Sequence, residues 1–374
     1  MSLKSISISI SLVVVFTLAV TRTSHTQTTD KPVEQVRKNI QVLKGLPDSQ
    51  IFLLMNFVSD SLGVHCDYCH VKGEKNPQTG EDTWVWDKDD KKQKLVAREM
   101  MRMVLDLNQN RFKREAVVTC YTCHRGSTRP ERMVPLPPRD LVQEALQTLQ
   151  TQKKVLPGAE ELVSKYLSVV GAKHDGASTP IMMRGTVESR NVSGILEVTF
   201  KQPNKCLIKQ TSAAHEVTTR GTNGATAWIQ TAKGITPITG ENFRRSIAAI
   251  AVYDPIKVPD ALINVTVTGT AKVNDRDTYV LTMENSPKES TQFFFDVETG
   301  LLLRRITATN TMLGPLNVQW DFSDYRDVNG IKLPFVIRTS DVASYDTTIR
   351  RFTEIKVDPT VDDRIFDTPQ TTSP

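Results

Sequence analysis

The sequence predicts a multidomain chain of α+β class, a helical region followed by an antiparallel β domain. Three observations predict it. Two strings, Cys66-Asp67-Tyr68-Cys69-His70 and Cys120-Tyr121-Thr122-Cys123-His124, share the pattern C-x-x-C-H. A stretch with apolar residues at helical spacing precedes each string. Beyond Gly176 the texture changes to short runs rich in Val, Ile, Thr and Phe, separated by turn signals.

C-x-x-C-H is the attachment signature of a c-type haem. Two thiols three residues apart can add to the two vinyl groups on one porphyrin edge, and the adjacent His is then held beneath the iron. The alternatives are one structural zinc, disulfides, or a thioredoxin-like redox pair. Zinc ribbons space their pairs by about 15–20 residues, whereas Cys69 and Cys120 lie much farther apart. A zinc site also leaves unexplained the His that follows each pair. The residues therefore point to two covalently attached haems, with Cys66, Cys69, Cys120 and Cys123 as tethers and His70 and His124 as proximal ligands.

Composition agrees with ordinary globular domains. The chain has 374 residues, 39% hydrophobic and 24% charged, enough for two or three cores. A formal charge of +5 makes no case for nucleic acid. Residues 1–27 read as a secretory signal peptide: Lys4, an apolar run from Ile6 to Val20, then Thr21-Arg22-Thr23. The run is short for a membrane span; Ala19 is one candidate cleavage position, and an uncleaved anchor is the alternative. A periplasmic or otherwise exported protein is expected, because c-type haem is joined outside the cytoplasm. Four of the five cysteines belong to the haem strings. The fifth, Cys206, reads as a buried thiol in a strand.

In chain order, a short helix is expected from Val33 to Val42. Pro47-Asp48-Ser49-Gln50 opens a second, with Ile51, Phe52, Leu54, Met55, Val58 and Leu62 at helical spacing and Gly63 as its stop. Met55 lies about 10 Å along the axis from Leu62 at about 1.5 Å per residue, so a reversal at Gly63 would let Met55 and His70 flank one porphyrin. From spacing alone Met55 reads equally as core filler. Residues 71–87 read as a loop whose Trp84 and Trp86 cover a haem edge or cap a core. A helix from Asp87 to Phe112 follows, with Met100, Met103, Val104 and Leu107 as inner stripe, Met101 turned away, and its Lys and Arg residues on a solvated face. Lys72 and Arg125 read either as partners of haem propionates or as solvent-facing charges.

Leu54-Met55, Ser59-Asp60-Ser61-Leu62-Gly63-Val64-His65-Cys66 through His70, and Arg102-Met103-Val104-Leu105-Asp106-Leu107-Asn108 ahead of Cys120 resemble the cytochrome c subunit of photosynthetic reaction centres over about residues 35–130. That family's typical member has four haem motifs; this chain has two. The resemblance implies that a helix Met supplies the sixth iron ligand, pairing Met55 with His70 and Met103 with His124. Such ligation leaves no open iron position and implies electron transport rather than catalysis, with redox protein partners, a membrane electron-transfer complex among them.

Residues 125–140 are punctuated by Pro130, Pro135, Pro137 and Pro138, a stiff connection, and Asp140–Gln152 reads as a helix. Gly158 to Gly171 reads as another, with Leu162, Tyr166, Leu167 and Val170 on one face. Turn signals at Asn223-Gly224, Asn274-Asp275, Thr299-Gly300 and Asn329-Gly330 then predict a curved antiparallel meander. His174 and His215 read as surface residues. The entry helix, the meander, Asp296 to Leu302 and Asp324 to Pro334 resemble the periplasmic LolA-like lipoprotein-carrier half-barrels. That resemblance implies a concave apolar face for a lipid or acyl chain; a purely structural sheet is the other reading.

The expectation is thus an α-helical multihaem cytochrome c followed by an antiparallel β half-barrel. The boundaries are signal peptide 1–27, dihaem domain 28–130, Pro-rich linker and helix 131–156, and half-barrel 157–374. Its expected role is one-electron transfer by a non-enzyme. The rivals are a dihaem peroxidase-like enzyme and a hydrophobic-ligand carrier with accessory haems.

Overall fold

The computed structural model describes residues 30–75, 82–113, 116–133, 156–171, 179–189, 193–240, 264–286, 289–341 and 346–369, with single positions between 243 and 253. The expected signal peptide, the helix Asp140–Gln152 and His174 lie outside the described residues. Among the described residues no helix is long and apolar enough to cross a membrane.

The N-terminal part comprises α1 (Val33–Val36), α2 (Ile51–Leu62), the hairpin β1 (Val71–Lys75) and β2 (Asp82–Val85), α3 (Lys92–Arg111) and α4 (Cys120–His124). The helix expected through Val42 stops at Val36. Asn39 and Leu43 take positive φ of 58° and 67°, and Val33 donates to the Leu46 carbonyl at 2.7 Å, folding the segment back on itself. α2 forms as expected: it buries Leu54, Phe57, Val58 and Ser61 and ends on Gly63, whose φ of 65° suits a residue without Cβ. The expected loop 71–87 is instead a hairpin, pairing Val71 with Val85 and Lys72 with Trp84; the β-forming run Thr83-Trp84-Val85 overrides its Gly and Pro neighbours.

α3 starts at Lys92 rather than Asp87, because Asp89 is spent as the acceptor for two cations of the helix. Its buried stripe is Lys94, Arg98, Met101, Val104 and Asn108. The expected orientation is therefore corrected by part of a turn. Met101 faces the core, while Met100 and Met103 are 39% and 45% exposed.

Next come α5 (Ala159–Val170) and one antiparallel sheet: β3 (Ile181–Glu188), β4 (Ser193–Lys201), β5 (Lys205–Ser212), β6 (Val217–Thr222), β7 (Ala227–Thr231), β8 (Gly234–Ile238), β9 (Val265–Val273), β10 (Arg276–Ser286), β11 (Glu289–Asp296), β12 (Leu302–Thr311), β13 (Gly314–Val328), β14 (Ile331–Asp341) and β15 (Asp346–Val357). The order is 8-7-6-5-4-3-15-14-13-12-11-10-9. The chain enters in the middle, runs out to one edge, reappears at the other and returns until β15 pairs with β3. Turns at Asn274-Asp275 and Asn329-Gly330 take positive φ at both positions, as two-residue hairpins require. α5 packs Leu162, Val163, Tyr166 and Val170 across one face, against Phe200, Phe295, Leu333 and Ile337. This is a long antiparallel sheet with an entry helix, and the helical part is small beside it. Cys206 is buried on β5, as expected.

The two parts share a core. Leu313, at the tip of the β12–β13 hairpin, is fully buried in one cluster with Leu54, Phe57, Met101 and Val104. A Cβ at Gly314 would lie 2.8 Å from Thr119 Cγ2 and 3.1 Å from Phe57 Cζ.

Candidate functional site

Each C-x-x-C-H string folds as one turn of helix, which puts its thiols and imidazole on one side. In the first, Cys69 and His70 both donate to the Cys66 carbonyl, at 3.3 and 2.9 Å. In the second, Thr119 caps α4: its hydroxyl accepts from the Thr122 amide at 3.2 Å, and Thr122 Oγ1 accepts from the Thr119 amide at 3.0 Å. Such reciprocal capping fixes a short helix that propensity alone would not hold.

The first turn opens onto a cleft of about 400 Å³ whose lining includes Met55, Cys66, Cys69, His70, Trp84 and Trp86. Trp86 stands edge-on to His70, with centroids 5.0 Å apart, and stacks on Trp84 at 5.2 Å. The second turn opens onto a cleft of about 250 Å³ whose lining includes Met100, Met103, Cys120, Cys123 and His124. Val58, Leu62, Cys69, Ala97 and Met101 line both clefts, so one thin apolar wall separates them. Met55 is thus brought to the first C-x-x-C-H and Met103 to the second, but Met103 shares its cleft with Met100 one turn away.

The imidazoles differ. His124 Nδ1 lies 2.9 Å from the Ser127 carbonyl, a contact that favours the Nδ1–H tautomer and leaves Nε2 as the lone-pair nitrogen. His70 Nδ1 is buried without a hydrogen-bond partner. Burial, with Lys94 adding to it, pushes the His70 pKa below the usual imidazole range. Burial also raises the Cys69 thiol and takes that of Cys120 up to about 11. These are the reverse of the lowered thiols of a thioredoxin-like pair. Among the described residues no group of three or more His, Cys, Asp or Glu is placed to share a metal ion, so the two strings do not converge on one zinc.

One feature is not legible in the sequence. Lys94 and Arg98, expected on the solvated face of α3, are buried and line the first cleft. Lys72 is bound to Asp82 at 2.7 Å across the hairpin, and Arg125 is an exposed left-handed cap of α4. Only the i, i+4, i+7 spacing of Lys94, Arg98 and Met101 signalled the inward turn.

An apolar cleft, an imidazole on a two-thiol turn and a facing thioether make a residue set that fits an iron porphyrin, and the class such sites define is the c-type cytochrome. More particularly, residues 16–164 match the family described as Photosynthetic reaction centre cytochrome C subunit, and over that region the chain is similar to that family. The photosynthetic reaction center cytochrome c subunit of Thermochromatium tepidum is 35% identical over 109 residues, covering 28% of this chain and 24% of its own. Cytochrome c-554 of Chloroflexus aurantiacus is 34% identical over 95 residues, 24% of this chain and 20% of its own. The chain spans about a quarter of the length of the curated relatives it matches. Among solved structures, a DUF1329 family protein from Desulfovibrio piger covers 55% of this chain and 95% of its own at 15% identity and TM-score 0.40. A LolA superfamily protein from Nitrosomonas europaea covers 57% and 99% at 12% identity and TM-score 0.36. Likenesses of that size assign no activity to the sheet.

Proposed function

We propose that the chain is an exported electron carrier, not an enzyme, holding two covalent c-type haems. Cys66 and Cys69 tether one and Cys120 and Cys123 the other; His70 and His124 are the proximal ligands, Met55 and Met103 the distal ones. The observation that supports this is the pairing, in each cleft, of a C-x-x-C-H turn with a methionine-bearing helix. The iron porphyrin supplies a one-electron couple, with a potential raised by a thioether ligand. The residues do the rest. The helical turns aim the imidazoles, the Ser127 carbonyl fixes one of them, and Trp84, Trp86 and Phe52 keep water from the first cleft. Met55 on α2 and Met103 on α3 would each offer a thioether to an iron, leaving no position for oxygen, which favours electron transfer over peroxidase-like chemistry. The partners are redox proteins outside the cytoplasmic membrane, a membrane complex such as the reaction centre of the named relatives among them.

The test is an intact-mass measurement and a visible spectrum of protein made in a haem-ligating periplasm. Two haem masses added to the polypeptide are expected, with a six-coordinate low-spin spectrum. A colourless polypeptide of unmodified mass would overturn the reading.

A further inference from the structure

Lys94 and Arg98 stand one turn apart on α3, each with a side chain only 10% exposed, and both line the first cleft beside His70 and Met55. Lys94 Nζ donates to the carbonyls of Trp86 and Lys88 at 2.8 and 2.6 Å and lies 3.0 Å from Asp89 Oδ1. Arg98 donates to Asp89 Oδ2 at 2.8 Å and to the Asn39 carbonyl at 3.1 Å. One carboxylate faces two buried cations, so this trio carries one net positive charge. The other charged residues of the lining are Arg37, held by Asp48 at 2.7 Å, half-buried Asp87 and exposed Lys38. The second cleft has a single cation in its lining apart from the imidazole, the exposed Lys92.

A fixed positive charge in a low-dielectric wall opposes the extra positive charge of an oxidised iron, and burial strengthens that opposition. We propose that Lys94 and Arg98, offset by Asp89, set the potential of the first cleft above that of the second. With haems bound, an electron shared between the clefts would then rest in the first, passing from a ferrous iron that His124 would hold to a ferric iron that His70 would hold. This rests on the dihaem reading above and adds to it a direction of electron flow.

The experiment is an equilibrium redox titration of the full-length holoprotein, with the first haem's midpoint assigned through its response to Met55→Ala. Arg98→Gln and Lys94→Gln are expected to lower that midpoint. A tenfold change in the one-electron equilibrium constant is 59 mV, and a shift of about that size is the expected reading. Asp89→Asn is expected to raise the same midpoint, and Arg98→Lys to leave it in place. All four should leave the second midpoint where it is. A merely structural role predicts that Asp89→Asn and Arg98→Gln act in the same direction, since both break one network. Shifts of the same sign, no shift in any variant, or a first midpoint below the second in the unaltered protein would overturn the proposal. Absence of covalent haem by mass would instead remove the underlying reading, and this proposal with it.

Discussion

Gly126, two residues after His124, donates its amide to the carbonyl of Ser61 at 2.9 Å, next to the end of α2. The contact is close because Gly63 has no side chain: a Cβ there would run into the Gly126 carbonyl oxygen. The helix carrying Met55 and the turn after the second cysteine pair are thereby fastened to one another, and both clefts depend on that junction.

Gly63→Ala is expected to destabilise the fold by about 2 kcal/mol or more. The left-handed conformation alone costs an L-residue roughly 1–2 kcal/mol, and the clash adds to it. Chemical denaturation followed by circular dichroism measures the loss, and an unchanged midpoint would refute the junction's importance.

The methionines separate by spectroscopy. Met55→Ala is expected to remove the weak far-red thioether-to-ferric-iron band of one haem, and Met103→Ala that of the other. Met100→Ala is expected to leave both irons six-coordinate. If Met100→Ala removes the second haem's band and Met103→Ala does not, the distal ligand is reassigned one turn along α3, where both side chains reach the same cleft.

Much of this site was legible in the sequence, and the reasons for the exceptions are physical. The C-x-x-C-H spacing fixes its own geometry within one turn, so Cys66, Cys69 and His70 needed no tertiary context. The face of α3 did need it. Met100, Met101 and Met103 are adjacent apolar positions, and periodicity does not say which of them meets a protein core and which meets a cofactor cleft. Lys94 and Arg98 read as solvent-facing because buried cations are rare; their partner, Asp89, lies in a preceding segment that reads equally well as the helix's own acidic start. The hairpin at 71–85 leaves no clear signal because its strands are short and carry Gly73. The sheet was legible from its turns, whereas the re-entry that pairs β15 with β3 is a long-range choice that no local pattern records.

Leu313 tests the shared core. Leu313→Ala is expected to cost about 2–5 kcal/mol, the usual penalty for emptying a fully buried site. The loss is expected in the helical part as well as in the sheet. Hydrogen exchange of the α2 amides reads the first and that of β12 and β13 the second. Unchanged α2 exchange would show that the hairpin tip merely rests on the helices.

Asp296 gives the sheet an acid limit. Burial alone would raise its pKa, but Arg276, at 2.5 and 2.9 Å, and the Thr299 amide and hydroxyl outweigh that and hold it at about 2. Because the folded value lies below the unfolded one near 3.8, the stabilisation is complete above about pH 4 and is lost as pH falls toward 2. Its size is on the order of 2 kcal/mol. Asp296→Asn is expected to flatten that portion of the stability–pH curve, measured by urea denaturation at stepped pH. An identical curve for the variant would refute the assignment.

The placement of Leu313 also sets a timetable. Both cysteine turns precede in the chain the hairpin that plugs their common core, and the sheet bearing that hairpin has no central pair until its last strand, β15, is in place. For that interval the thiols sit in a nascent chain whose interior lacks its final wedge. A chain that has not yet set that wedge in place presents the thiols more freely than the finished fold, in which Cys66, Cys69 and Cys120 are half-buried.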